Sequence, residues 1–214
     1  MQLIAYYYDQ EGNYYRERAS RLAEHCLAEG IPHTIKAVEA NGWLDACAAK
    51  PRFIMETLQE HNEPVLYIDV DSPVSSSFHE LHEPSEPIGA ARNLRWGREF
   101  TWYASSVLYA APLVPAIEFL ARWIAANEAS LSNGLQHTDH ECLNIVIDVS
   151  NDLPFALLPK TIYSQDGRGF ANTGVARNAI KQRSINALRK RPQDIRSITA
   201  AVQRIKDKYT WQAK

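Results

Sequence analysis

The chain has no glycine-rich phosphate loop. Only 9 of its 214 residues are glycine, and the first loop reads Asp9-Gln10-Glu11-Gly12-Asn13. That excludes both a dinucleotide fingerprint and a P-loop. Cysteine is equally scarce. Cys26, Cys47 and Cys142 are odd in number and widely spaced, which excludes a disulfide framework and a zinc pattern and points to a reducing compartment. All three read as helix-packing residues. No apolar run approaches the roughly 20 residues that a membrane helix needs. The opening MQLIAYYYDQ lacks a basic leader and a small-residue cleavage site, so it reads as a first strand of a cytoplasmic protein and not as a signal peptide. No histidine follows His140.

What is present suits one α/β domain with an appendage. Hydrophobic residues make up 45% and charged residues 22%, enough apolar material for a core in a chain of this length. The net charge of −2 hides an asymmetry. From Arg177 to Lys214 there are 11 Lys and Arg against 2 acids, whereas the other 176 residues hold 12 basic and 23 acidic groups. An acidic body with a basic tail suggests contact with a polyanion or an anionic surface.

The periodicity alternates strand and helix. Gln2 to Tyr8 reads as a strand and Tyr14 to Glu29 as a helix stopped by Gly30. A weaker strand follows at His33 to Val38. Trp43 to His61 reads as one helix, or two parted at Pro51. Strand, helix, strand, helix, strand marks a doubly wound half. Further on, Ile88 to Ala91 reads as a short strand, Arg92 to Glu99 as an exposed loop, and Phe100 to Ala110 as a kinked strand or strand pair. Pro112 to Ala126 and Asp139 to Val149 read as helices, the second capped by Thr138 with Glu141 at the capping-box spacing. A last strand is expected near Lys160 to Tyr163, then a glycine-bearing loop over Gln165 to Gly174. Two helical patterns, Ala176 to Leu188 and Asp194 to Trp211, complete the tail. The second carries Ile195, Ile198, Val202, Ile205 and Tyr209 on one face and is expected to dock on the body.

The third strand organises the rest. Val65-Leu66-Tyr67-Ile68 has the continuous apolar character of a strand buried on both faces, and it ends in Asp69-Val70-Asp71-Ser72-Pro73. Two carboxylates one residue apart on extended chain point to the same side. Ligands of open α/β sheets gather at the carboxyl ends of strands. Two like charges there are costly unless a hard divalent cation joins them. With no phosphate loop available, a nucleotide would be held by that metal and by side chains.

These features resemble those of one family. Lys50-Pro51-Arg52-Phe53-Ile54 and Leu66-Tyr67-Ile68-Asp69-Val70-Asp71 are similar to the Lys-Pro-x-Phe-Ile and Leu-x-Asp-x-Asp blocks of GT-A fold glycosyltransferases, within them the nucleotide-diphospho-sugar transferase group. Ala104-Ser105-Ser106-Val107-Leu108-Tyr109, with Trp123 downstream, resembles the family's Asn-Ser-Gly-Val block and the tryptophan after it. Thr138-Asp139-His140-Glu141-x-Leu143-Asn144 resembles its Asp-Gln-x-x-Leu-Asn helix start. The likeness covers roughly residues 1 to 181. Ser106 and His140 stand where glycine and glutamine are usual, and the family's late metal-binding histidine is missing. Asn172 is the best match to its position.

The resemblance implies a GT-A-like, Rossmann-like, mostly parallel sheet flanked by helices over 1–175, with a basic helical extension over 176–214. It implies metal-assisted transfer of a sugar from a UDP- or GDP-sugar to an acceptor hydroxyl, with Mn2+ or Mg2+ held by Asp69, Asp71 and Asn172. Asp71 would bridge the cation to the diphosphate, and Asp69 would reach the ribose or a metal-bound water. Lys50 and Arg168 are candidates for phosphate or ribose contacts. Tyr6, Tyr7 and Tyr8 end the first strand, where a base can stack, although at least one of them suits the core. Asp139 is the candidate acid or base near the acceptor, or an orienting group in a retaining reaction. Arg92, Arg95, Trp96, Ser105, Ser106 and His140 are the candidate acceptor contacts. Arg92, Arg95, Trp96, Arg98 and Trp102 mix cations with aromatics in a way that suits sugars, bases or phosphates.

The basic tail divides the acceptors. Tracking phosphates, it suits a nucleic acid, such as a hydroxymethylated base in phage DNA flipped out of its stack. Lying on an anionic membrane, it suits a lipid-linked or cell-surface glycan. A nucleotidyltransferase using the same carboxylates would want a glycine- and arginine-rich first loop. A non-catalytic nucleic-acid-binding module is the reading outside enzymes.

Overall fold

The computed structural model describes residues 1–9, 13–94, 101–135, 137–163, 169–171 and 193–212. Its strands are β1 (Gln2–Tyr7), β2 (His33–Ala37), β3 (Val65–Ile68), β4 (Ile88–Leu94), β5 (Thr101–Ala110) and β6 (Ala156–Leu157). Its helices are α1 (Tyr14–Ala28), α2 (Trp43–Ala48), α3 (Lys50–His61), α4 (Val114–Ser132), α5 (Asp139–Val149) and α6 (Gln193–Gln212), with a 3-10 turn at Ser77–Glu80. The strands form one six-stranded sheet in the order β2-β1-β3-β5-β4-β6. β1 runs parallel to β2 and β3, and β4 to β6; β5 alone runs against its neighbours β3 and β4. The sheet is therefore mostly parallel and flanked by helices, as the alternation of strand and helix predicts.

Both faces are covered. Leu3, Ala5, Leu66 and Ile68 share a core with Ala19, Leu22 and Cys26 of α1. The alternate positions Ile4, Tyr6, Val65 and Tyr67 share another with Phe53, Leu58, Phe119 and Trp123. A strand clothed on both sides can be apolar throughout, and every residue of β3 is buried. Pro51 sits in the first turn of α3, where its missing N–H costs nothing, so the two-helix form of Trp43 to His61 is the one adopted. Gly30, at φ 64°, ends α1. Thr138 and Glu141 exchange both bonds of a capping box at the start of α5.

Two boundaries differ from expectation. β4 continues through Arg92, Asn93 and Leu94, which pair with Tyr103, Trp102 and Thr101. These three residues, read as loop, are strand because pairing with β5 overrides their polar character; the rest of that stretch lies outside the described residues. The late strand is Ala156–Leu157, not Lys160 to Tyr163. Pro159 turns the chain there, its carbonyl accepting from the N–H groups of Ile162 and Tyr163, and Tyr163 pairs with Ala171 as an isolated bridge. β6 approaches β4 so closely that a Cβ on Gly89 would lie 2.9 Å from the Ala156 carbonyl oxygen. The first tail pattern, Ala176 to Leu188, lies outside the described residues.

The second tail pattern is helix α6, and it docks. Ile198, Ala201 and Val202 are buried, and Ile198 and Val202 join the core that holds Trp123. A polar clamp accompanies this packing. The fully buried Arg122 guanidinium donates to both carboxylate oxygens of Asp152 at 2.9 and 2.8 Å and pairs with Glu118 one turn away. Lys206 of α6 reaches the same Asp152 at 2.9 Å. Hydrogen bonds from Arg122 hold the Asp152 carboxyl well below the usual carboxylate range. This contribution to stability is complete above the unfolded-state carboxyl value near 4 and fades as pH falls further. Asp152→Ala leaves a buried cation with Glu118 alone and is expected to cost about 2 kcal/mol in denaturant unfolding. Lys206→Ala, removing a more exposed partner, is expected to cost under about 1 kcal/mol.

Candidate active site

The aspartate pair lies where β3 runs out. The Asp69 N–H still donates to the Ser106 carbonyl at 2.9 Å, prolonging the β3–β5 pairing by one residue. The Ser72 N–H then donates to the Asp69 carbonyl at 2.8 Å and closes a turn. Asp69 is thus fixed by backbone on both sides. Its Oδ1 accepts from the Tyr67 hydroxyl at 2.7 Å and faces the Lys50 ammonium at 2.9 Å.

Lys50 joins distant parts of the chain. It opens α3 and is only 4% exposed. Its Nζ lies 2.8 Å from Asp139 Oδ2 and donates to the Ser105 carbonyl and hydroxyl oxygens at 3.2 and 3.3 Å. The Tyr67 ring completes the surround, its centroid 5.1 Å from Nζ. Burial pulls the ammonium toward neutrality, but Asp139 and then Asp69 more than reverse this and hold it charged. Asp139 is the mirror case. Burial pushes its carboxyl up, and the Lys50 charge and hydrogen bond outweigh that, leaving it below the usual range. Lys50 is therefore no solvated helix residue. It heads the apolar stripe of Phe53, Ile54, Thr57 and Leu58, all buried, and that spacing was a usable sign of its burial.

Asp71 is half-buried. Burial and the charge of Asp69 push its carboxyl up to about 6, against the pull of Lys50 and Arg18. Tyr15, on the first turn of α1, has its hydroxyl pushed up by burial and then by Asp71. Cys47 of α2 has its thiol pushed up by burial and then by Asp139. The site therefore gathers Asp69, Asp71, Lys50, Ser105 and Asp139, with Tyr67, Tyr15 and Cys47 around them. Tyr67 is the residue that sequence reasoning passed over. It stands two positions before Asp69 on a strand, hence on the same side.

The remaining candidates fall as follows. Tyr6 is a core residue whose hydroxyl donates to the Ala46 carbonyl at 2.8 Å, whereas Tyr7 and Tyr8 are half-buried at the strand end. His140 Nδ1 accepts from the Ser105 N–H at 3.4 Å, and Ser106 is half-buried beside it on β5. Asn144 clamps β5 to α5: its Oδ1 accepts from the Tyr103 N–H at 2.8 Å and its Nδ2 donates to the Tyr103 carbonyl at 3.0 Å. Arg92 is exposed on β4, in the stretch of hairpin that projects past the end of β3. His79 Nε2 lies 2.9 Å from the Glu29 carbonyl oxygen. Arg95, Trp96, Arg168 and Asn172 lie outside the described residues.

Among the described residues no group of three or more His, Cys, Asp or Glu side chains is placed to hold a metal. A two-carboxylate set of hard oxygens nonetheless fits Mg2+ or Mn2+, which take one or two protein carboxylates and complete their shell with water and substrate phosphates. The observation that supports the fit is the placement of the two carboxylates one residue apart at the end of β3, with Asp69 Oδ1 turned to Tyr67 and Lys50. No described helix is long and apolar enough to cross a membrane.

No family model matches the chain, and no curated protein matches it in sequence. Solved structures do match. A glycosyltransferase involved in the glycosylation of the major capsid of PBCV-1 superposes on 87% of this chain and 98% of its own, with TM-score 0.60 and 14% identity. The apo form of the glycosyltransferase GlyE of Streptococcus pneumoniae TIGR4 superposes on 97% of this chain, with TM-score 0.50 and 11% identity, and the match spans 64% of GlyE. Identity at this level speaks to backbone architecture alone, and on that ground the chain has a GT-A-like glycosyltransferase fold.

Proposed function

We propose that the chain is a glycosyltransferase that moves a sugar from a UDP- or GDP-sugar to an acceptor hydroxyl. The observation that carries this reading is the placement of Asp69 and Asp71 at the carboxyl end of β3, on a glycosyltransferase fold, with Asp69 locked by Tyr67 and Lys50. Asp71 and the free side of the Asp69 carboxylate would hold Mn2+ or Mg2+, with Asn172 as a further candidate ligand. When bound, the cation supplies Lewis-acid stabilisation to the leaving diphosphate.

The protein's own groups do the positioning. Lys50 acts on Asp69 and Asp139 in place of the direct phosphate contact its motif implies, since its ammonium is already surrounded. Asp139 is held ionised, so it orients a sugar or acceptor hydroxyl and is no proton donor at neutral pH. Ser105, Ser106 and His140 line the acceptor side of this cluster, with Arg92 further out along the hairpin. Tyr7 and Tyr8 remain the strand-end residues for base stacking.

The acceptor follows from the tail. α6 spends its apolar face on α4 and Lys206 on Asp152, but Arg196, Arg204 and Lys208 stay exposed. An exposed basic face favours a phosphate-rich acceptor, with hydroxymethylated phage DNA as the first substrate to try. A surface or lipid-linked glycan is the other class. One fold neighbour is involved in glycosylating a viral capsid, and a protein-borne hydroxyl belongs in the same screen.

The deciding experiment is calorimetric titration with UDP and GDP, with and without Mn2+. Micromolar, metal-dependent binding of one of them is expected. Asp71→Ala should weaken it at least about tenfold while leaving the unfolding midpoint within a degree or two. A wild-type protein that binds neither nucleotide would sink the reading.

Lys50 gives a second expectation. Lys50→Met exposes Asp139 as a buried unpaired charge and should cost about 3 to 5 kcal/mol. Adding Asp139→Asn should recover at least about 1.5 kcal/mol of that in a double-mutant cycle. Additive losses would show that the two side chains do not act as a pair.

A further inference from the structure

We propose that Trp123 is a positioning residue for Asp139 and ties that carboxylate to the docked helix α6. This rests on the reading above for what Asp139 does at the acceptor, and on contacts of the fold for how Asp139 is held. Trp123 lies in the middle of α4 and is fully buried. Its indole N–H donates to the Asp139 carbonyl at 3.0 Å. A buried indole usually finds an acceptor, but this acceptor belongs to the residue whose side chain meets Lys50. Asp139 is the first residue of α5. Its carbonyl oxygen has two lone pairs, so it can take the indole as well as the bond within the helix. Asp139 is thereby held twice, by the indole at its main chain and by the Lys50 ammonium 2.8 Å from its carboxylate.

The same ring leads to α6. Trp123 shares a core with Ile198 and Val202 of α6 and with Cys142, Leu143 and Val146 of α5, all of them buried. Arg122, next to Trp123 on α4, is also fully buried, and through Asp152 it is joined to Lys206 of α6. Consecutive buried residues belong to a helix covered on more than one face. α4 therefore carries a connection from the tail helix to the start of α5. The capping box of Thr138 and Glu141 sets where α5 begins, and the indole sets where that first turn stands against α4. A small shift of the turn would lengthen the Lys50–Asp139 contact and weaken it. In the proposed reading, the helix that presents cations to a phosphate-rich acceptor and the carboxylate that orients its hydroxyl are then parts of one packed unit.

The test measures the coupling between Lys50 and Asp139 by the cycle of Lys50→Met and Asp139→Asn in denaturant unfolding, first in the wild type and then with Trp123→Phe. A fixed concentration of sucrose in every sample keeps the weakest variants folded. Phenylalanine retains much of the packing and lacks the N–H. The coupling is expected to be at least about tenfold in the folding equilibrium constant of the wild type, and to fall at least about threefold in the Trp123→Phe background. Trp123→Phe alone is expected to lower that constant by about 5- to 30-fold. A residue that merely fills the core would lower stability and leave the coupling intact, and that result would overturn the inference. Val202→Ala, which trims the docked face of α6, is carried through the same cycle and decides the matter if Trp123→Phe does not fold. It should lower the coupling too, and an unchanged coupling there overturns the tie to α6. Additive losses in the wild type overturn the inference as well. None of these outcomes involves a nucleotide, so the donor reading stands or falls by its own titration.

Discussion

The ammonium of Lys50 sets the charge balance on which the site depends, because it is the only positive charge found within contact of Asp69 and Asp139 among the described residues. Those carboxylates arrive from opposite directions, one at the end of β3 and the other at the start of α5. Without a cation between them they would repel, and the cheapest relief would be protonation or a shift of α5 away from the sheet. With Lys50 in place, the Asp139 carboxyl is held below the usual range and the end of β3, the start of α3, the middle of β5 and the start of α5 are drawn to one point. Ser105 and the Tyr67 hydroxyl satisfy the remaining hydrogen-bonding capacity. A buried network of this kind adds little net stability but specifies one arrangement, provided that every member is satisfied.

Asp71 is left out of that arrangement, and the consequence is chemical. Asp69 and Asp139 are balanced by Lys50, whereas Asp71 feels burial and a neighbouring carboxylate with only distant positive charge to offset them. The protein thus carries one carboxylate whose charge is not settled by its own side chains. In the proposed reading a divalent cation with a diphosphate would settle it. Tyr67 and Lys50 lock Asp69, and Asp71 would then be the ligand-binding carboxylate of the pair, although the two stand one residue apart.

Much of the fold was legible in the sequence, and the reason lies in local patterns. β3 announced itself by four consecutive apolar residues, α5 by the Thr138–Glu141 spacing and α1 by Gly30 at its end. The failures came where long-range pairing decides. Arg92 to Leu94 look like a polar loop, yet Tyr103, Trp102 and Thr101 of β5 pair with them and make them a strand. Lys160 to Tyr163 look like a strand, yet the Pro159 carbonyl draws Ile162 and Tyr163 into a turn. The candidate site shows the same division. Asp69, Asp71 and Asp139 could be named from motifs, and the stripe led by Lys50 pointed to its burial. That Lys50 joins residues 19 and 89 positions away is a property of the folded sheet and is written in no window of sequence.

The docking of α6 bears on how the basic tail can work. An amphipathic helix binds a membrane through its apolar face, with its cations in the headgroup layer. In α6 that face is already buried against α4, and freeing it would expose Ile198 and Val202 and break the link from Lys206 through Asp152 to Arg122. Among the described residues of the tail, Arg196, Arg204 and Lys208 remain exposed, on a helix whose Ile198, Ala201 and Val202 are already buried. Such a face can follow a line of phosphates without any change of fold. It can meet a membrane only by weak surface attraction, worth about 1 kcal/mol for each basic residue near the lipid. In the proposed reading, the packing of α6 on α4 would therefore favour a polyanion in solution over a membrane-borne acceptor.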